Sequence, residues 1–232
     1  MKNWTLRQRI LASFAVIIAI MLLMVVVSYS RLLSIESSEN VVRSDSVPGI
    51  HYSSLIRGAW VDDYVLTQQL IGLGGGRGMT QADKDMYEGI EERLQTSMAS
   101  YRSTIFEKDD QARFDEFEKI HDQYDKLLEE VLDAYQQNDI EQARRILTEQ
   151  MTPAWDAGRK LLDNLIEFNR EAAEAATDSI ISSVAVAKLI MGVSLLVAVI
   201  IAGVCGLLLM RAIMAPMNRI VEVPDVAETV VL

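Results

Sequence analysis

DIEQARRILTEQMTPAWDAGRKLLDNLIEFNREAAEAA, residues 139–176, carries apolar side chains at Ile140, Ala143, Leu147, Ala154, Leu161, Leu165, Phe168 and Ala172. The steps between them are three, four or seven residues, and Glu, Asp, Lys, Arg and Gln fill the gaps. That is the spacing of one buried face of an amphipathic helix. The same period recurs upstream. Ile35, Val42, Ile50, Ile56, Trp60, Tyr64 and Leu70 mark a first long helix; Met86, Ile90, Leu94, Tyr101 and Ile105 mark a second. Phe114, Phe117, Ile120, Tyr124, Leu127, Val131 and Ala134 mark a third. No comparable stretch alternates with the period of two that a strand requires. The predicted fold class is all-α, an antiparallel up-down four-helix bundle.

The breaks fall between these faces. GLGGGRG at Gly72–Gly78 ends the first helix, and Thr80 with Asp83 three residues on has the spacing of a capping box. Asp109 and Asp110 are expected to cap the third helix. Asn138 and Asp139 make a reversal, with Asp139 as N-cap of the fourth. Connections this short join antiparallel neighbours. Pro48 and Pro153 interrupt the two longest helices, and each removes a backbone donor, so a kink is expected at both.

Two further stretches are apolar throughout. Ile10–Val27 is uncharged and interrupted only by Ser13; at 1.5 Å per residue it extends roughly 27 Å, close to the hydrocarbon thickness of a bilayer. Leu189–Met210 is longer and also uncharged, with Lys188 at its entrance and Arg211 at its exit. Both are expected to span a membrane, and the first is too long for a cleaved signal peptide. Lys2, Arg7 and Arg9 precede the first span, and Arg211 and Arg219 follow the second, which places both ends in the cytoplasm. The expected organisation is a cytoplasmic N-terminus at 1–9, a span at 10–29, the bundle outside the cytoplasm at 30–187, a second span at 188–210 and a cytoplasmic tail at 211–232. Transmembrane helices therefore flank the bundle, and membrane lipid is an expected partner.

Composition excludes several functions. Of 232 residues, 33 are acidic and 22 basic, a net charge of −11, so nucleic acid is not an expected partner. The lone cysteine, Cys205, permits no intrachain disulfide framework or multi-cysteine zinc site. His51 and His121 sit on different helices without a Cys, His or Glu-x-x-His constellation around either, so no metal and no cofactor are expected. The glycine cluster lacks phosphate-loop spacing. Asp62–Asp63 and Asp109–Asp110 read as solvated or capping charges, not as a catalytic pair. No enzyme motif is present.

VPGIHYSSLIRGAW (residues 47–60), the stretch quoted first, and RAIMAPMNRIVE (residues 211–222) together resemble the periplasmic four-helix-bundle sensor of bacterial methyl-accepting chemotaxis receptors. The last of the three is similar to the start of a HAMP linker, with Arg211, Pro216, Met217 and Ile220 at the pattern positions. The resemblance implies a homodimeric chemoreceptor in a bacterial inner membrane, with a periplasmic sensor. It implies that a small-molecule ligand, an organic acid by preference, is clamped by Arg57. Arg211 and Pro216 would relay the signal, Pro216 marking the break before the next helix. The likeness stops after Glu222, before any methylated cytoplasmic hairpin, and coupling to a kinase and adaptor would need that part. The input half of a sensor histidine kinase or cyclase, or an accessory membrane bundle that senses nothing, are the alternatives.

At the depth of Arg57 in such a bundle lie Trp60 on the same helix, Tyr124 on the third, and Arg145, Thr148 and Thr152 on the fourth. Aromatic walls, hydroxyls and a guanidinium suit an anion pocket. Equally, Trp60 and Tyr124 read as core, Arg57 as a salt bridge to an acidic neighbour such as Asp62 or Glu91, and Arg145 as solvated.

Overall fold

The computed structural model describes residues 6–73 and 78–221, and its regular elements are all helical. They are α1 (Leu6–Val41), α2 (Val47–Leu73), α3 (Gln81–Arg102), α4 (Lys108–Gln136), α5 (Ile140–Ile146) and α6 (Thr152–Val221). Expectations for residues 1–5, for residues 74–77 of the glycine cluster and for the tail at 222–232 lie outside the described residues.

Residues 37–179 form one compact unit in which α2, α3, α4 and the α5–α6 run are the four helices of a bundle. Neighbours run antiparallel. Asp62 and Thr67 of α2 meet Arg93 and Tyr87 of α3; Tyr101 of α3 meets Asp110 of α4; Trp60 and Tyr64 of α2 meet Trp155 and Thr152 of the fourth helix. The core contains Ile56, Trp60, Ile71, Leu94, Tyr101, Phe114, Phe117, Tyr124, Val131, Met151, Leu162 and Leu165. Most are positions the helical period assigned to it. Met86 and Ile105 depart from that reading. Met86 is 48% exposed; Ile105 packs against the core but lies beyond the end of α3, because the chain leaves the helix at Ser103.

The caps follow the chemistry of their residues. Thr80 and Asp83 form the capping box, with Asp83 N donating to Thr80 Oγ1 at 3.2 Å and Thr80 N to Asp83 Oδ2 at 2.8 Å. Asp139 Oδ1 accepts from Gln142 N at 3.0 Å, and Asn138 adopts φ 61°, a left-handed conformation that asparagine tolerates. Asp109 and Asp110 are not the cap of α4. The extended residue before that helix is Glu107, so both aspartates fall in the first turn, where they oppose the positive end of the helix dipole.

Both internal prolines are accommodated in the same way. A π-helical turn, Val42–Ser46, precedes Pro48, and another, Leu147–Met151, precedes Pro153. Val47 N donates to Val42 O, and Thr152 N to Leu147 O, five residues back instead of four. Widening the turn relieves the clash between the proline ring and the carbonyl below it. Pro216 behaves differently from expectation: α6 continues through it to Val221. One proline removes one backbone donor and leaves the rest of the ladder intact.

Of the described residues, 6–36 and 180–221 form the second unit. Among the described residues two helices are long and apolar enough to cross a membrane, and the most apolar 18 residues of each include no buried side chain. Leu22, Leu23, Val26, Leu195 and Leu207 are each exposed by 60% or more. Such helices are consistent with membrane association.

Gly158 marks a close approach of helices in the bundle. A Cβ there would lie 2.6 Å from Trp60 Cζ2, whereas one at Gly58 would meet nothing within 4 Å. Gly158→Ala is therefore expected to destabilise by about 1–3 kcal/mol through overpacking, lowering Tm by several degrees. Gly58→Ala, with only helix propensity at stake, is expected to hold or raise Tm. Thermal circular dichroism of both variants checks this, and equal effects would remove the close approach as a constraint.

Candidate functional site

The helical period places Trp60 and Tyr64 one turn apart on α2, and both face the fourth helix. Trp60 Nε1 donates to Trp155 O at 3.0 Å, and Trp155 Nε1 donates back to Trp60 O at 3.2 Å. Tyr64 stacks on Trp155 with ring centroids 4.3 Å apart and an interplanar angle of 13°. Its hydroxyl is 2.7 Å from Thr152 Oγ1, which also donates to Leu147 O at 2.7 Å, across the π-turn. On its other side Trp60 packs on Tyr124 of α4 at 4.3 Å. Each hydrogen bond contributes about 1 kcal/mol and each aromatic pair about 0.5–1.5 kcal/mol. Together they fix α2 against α6.

Below the indoles the chemistry turns acidic. Asp63 is 7% exposed, and its Oδ2 accepts from Tyr124 Oη at 2.5 Å. Burial pushes its carboxyl up to about 7; the Tyr124 bond opposes this, and the charges of Asp125 and Glu91 add to it. Thr67 donates to Asp63 O at 2.9 Å and meets Tyr87 Oη at 2.9 Å. On α4, His121 Nδ1 lies 3.2 Å from Asp125 Oδ2, and Glu91 of α3 completes a group whose ligand-type atoms are all within 4.8 Å of one another. Burial raises Asp125 to about 6, against the lowering effect of His121.

A third cluster lies further along the bundle. Tyr101 donates to Asp110 Oδ1 at 2.6 Å and accepts from Asn169 Nδ2 at 2.9 Å. Asp45, in the first π-turn, is pushed to about 6 by burial and by the charges of Asp110 and Glu107.

Arg57 is on the outer face. Its Nε is 3.2 Å from Asp163 Oδ1, with both side chains partly exposed, and Asp163 Oδ2 is 3.5 Å from Nη1 of Arg159. One carboxylate thus faces two guanidiniums at the α2–α6 boundary. The six residues named as a pocket do not form one group, although Trp60 and Tyr124 pack on each other. Trp60 and Tyr124 are core, Thr152 is tied to Tyr64, and Arg145, in α5, and Thr148, within the π-turn, are exposed. Thr148 Oγ1 donates back to Arg144 O at 2.8 Å. Counting depth along the helices missed the extra residue of the π-turn and the direction each side chain takes. Of the two relay positions, Arg211 is exposed within α6 and Pro216 lies in the same helix.

A family model described as the four helix bundle sensory module for signal transduction matches residues 3–184. The chain belongs to that family. It is also similar to a sensory transducer protein of Acetivibrio thermocellus, 24% identical over 141 residues. That alignment covers 60% of this chain and 25% of the relative, so the chain spans about a quarter of the protein it matches. This chain is thus a sensory module of signal transduction, from a family of sensor domains that is typically non-catalytic.

Two groups of this module escaped sequence reasoning although their signals were present. Ile56, Trp60, Asp63, Thr67 and Leu70 step by four, three, four and three, which puts Asp63 on the buried stripe; it is not one of a solvated pair. Similarly, Asp110 is buried and held by Tyr101. His121 and Asp125 are one helical turn apart, and only Glu91, from another helix, was beyond sequence reach.

The acid groups set the pH response. Asp63 has a folded pKa of about 7 against 3.8 for an ordinary carboxyl, so between these values the folded chain retains a proton that the unfolded chain has released. Stability therefore falls as pH rises through this window, and Asp45 and Asp125 act in the same direction. Thermal unfolding should show a higher Tm at pH 5 than at pH 8. Asp63→Asn, which keeps an acceptor for Tyr124, should raise Tm at pH 8 and leave it nearly unchanged at pH 4. An unaltered slope in that variant would exclude Asp63 as its source.

Proposed function

We propose that the module is the input half of a chemoreceptor-type transducer in a bacterial inner membrane, acting as a homodimer. The bundle at 30–187 lies in the periplasm, the stretches at 10–29 and 188–210 cross the bilayer, and 211–232 enters a HAMP linker from the cytoplasmic side. The ligand is a small organic acid, and its effect is to change the position of α6 relative to α2. The supporting observation is the placement of Asp163 between Arg57 of α2 and Arg159 of α6. The helix that carries Asp163 also contains the apolar stretch after Lys188.

An exposed ion pair of this kind is worth only about 0–1 kcal/mol, so a ligand carboxylate exchanges for Asp163 at little cost. A guanidinium receives it bidentately. Released Asp163 then no longer links α6 to α2. A ligand that favours one helix position by about 1–3 kcal/mol changes its population about 5–150-fold. In this reading Trp60, Tyr124 and Thr152 hold the helices in register, and Arg57 is the ligand contact. The net charge of −11 slows the long-range approach of anions, so the affinity comes from the local pair of guanidiniums.

Calorimetry of the full chain in detergent against small mono- and dicarboxylates tests the reading. Arg57→Ala is expected to weaken binding at least tenfold, and Arg144→Ala, at an exposed pair with Glu141, to leave it unchanged. Asp163→Asn, which removes the competing carboxylate, is expected to tighten it several-fold. Equal losses in both arginine variants, or weaker binding in Asp163→Asn, would contradict the exchange.

A further inference from the structure

We propose that Glu91, His121 and Asp125 form a site for one divalent transition-metal ion of the zinc class, held between α3 and α4. The site is separate from the Arg57–Asp163 pair and does not depend on the organic-acid reading. His121 and Asp125 project from the same face of α4 one turn apart, the spacing by which a helix presents two ligands to one ion. Their nearest atoms are 3.2 Å apart, and Glu91 brings a carboxylate oxygen from α3 within 4.8 Å of both. Tetrahedral zinc with bonds near 2.0–2.1 Å has ligand–ligand edges of about 3.3 Å. The His121–Asp125 edge already has that length. Glu91 is exposed, and a side-chain rotation brings it in; only its Oε1 is engaged, by Gln95 Nε2 at 2.8 Å.

Two independent features point to a cation. The imidazole of His121 is 3% exposed and packs against Trp60 and Phe117, and its Nε2 is buried without a hydrogen-bond partner. Nδ1 faces the Asp125 carboxylate at 3.2 Å, where an ion would take the place of the proton that otherwise joins the two. The second is charge. Among the described residues no lysine or arginine forms an ion pair with Glu91, Asp125 or the neighbouring Asp63. An ion would relieve the repulsion among three carboxylates from three helices. One nitrogen and two oxygen donors favour zinc, nickel or cobalt over calcium or magnesium, and leave a coordination position for water. Binding would draw α3 towards α4, and through the Asp63 charge would act on α2.

The test is calorimetric titration of the EDTA-treated full chain in detergent with Zn²⁺. The expected result is one ion per chain at micromolar or tighter Kd, with Ca²⁺ at least a hundredfold weaker. Glu91→Gln and Asp125→Asn should each weaken Zn²⁺ binding tenfold or more with helical content unchanged, and His51→Gln should leave it intact. X-ray absorption of the zinc-loaded chain should show one imidazole with oxygen donors and no sulfur. Absence of stoichiometric binding, or binding that survives Glu91→Gln combined with Asp125→Asn, would overturn the site. So would loss of binding in His51→Gln.

Discussion

The exchange of indole donors between Trp60 and Trp155 constrains everything else in the bundle. Each N–H reaches the other tryptophan's own carbonyl, at 3.0 and 3.2 Å, and those distances require two helix backbones to run close together. Hence residue 158 is glycine, since a Cβ there would enter the Trp60 ring. Hence too the larger groups lie to the sides, Tyr64 stacked on Trp155 and Tyr124 on Trp60. The π-turn before Pro153 belongs to the same arrangement. Its extra residue rotates the following helix by about 100° relative to an uninterrupted one, and Thr152 then reaches Tyr64 while also closing on Leu147. A proline that reads in the sequence as an interruption is part of how α6 meets α2.

The fold was legible in the sequence because burial follows a single period along each helix. Phe114, Phe117, Tyr124 and Val131 are core for the same reason that their spacing is three, seven and seven. Capping was legible where the side chain itself makes the bond, as at Thr80 and Asp139, and misplaced where it does not, at Asp109 and Asp110. The functional side was less accessible. Arg57 was identified as a surface guanidinium with an acidic partner, but that partner, Asp163, is far along the chain and was not among those considered. Asp63 and His121 lie on apolar stripes whose period is visible, yet a polar residue on such a stripe is easily assigned to solvent. What they contact depends on pairing between helices, and no single-helix pattern contains that information.

Charge is distributed against the grain of a stable acidic bundle. Several exposed carboxylates have arginine partners: Asp62 has Arg93, Glu118 has Arg102, and Glu167 and Glu174 share Arg170. Buried Asp63 and Asp110 are held differently. Asp63 and Asp110 rely on tyrosine hydroxyls, and Oδ2 of Asp110 has no partner. A neutral hydroxyl compensates a buried carboxylate less than a cation does, so these groups hold protons more strongly and the bundle core carries a reserve of unneutralised acid. In a structural protein such groups would only subtract from stability. In a sensory module they make the packing of α2, α3 and α4 depend on what cation, proton or otherwise, the surroundings supply.

The magnitudes then limit the kind of motion that a signal can take. The Trp60–Trp155 interlock, with its flanking stacks and the Tyr64–Thr152 bond, contributes several kcal/mol if each interaction has its usual worth. Coupling free energies between sites are about 1–3 kcal/mol. A ligand therefore cannot separate α2 from α6, and a mechanism that required the interlock to open would be too costly. The contacts at its edge are weaker. The Arg57–Asp163 pair is half-exposed, and Glu91 is anchored only by Gln95. Changes there are within reach of binding energy, and they act on helices whose centre is pinned. In the proposed mechanism a helix fixed at one level and biased at another pivots by small amounts, with the tryptophan pair as its fulcrum.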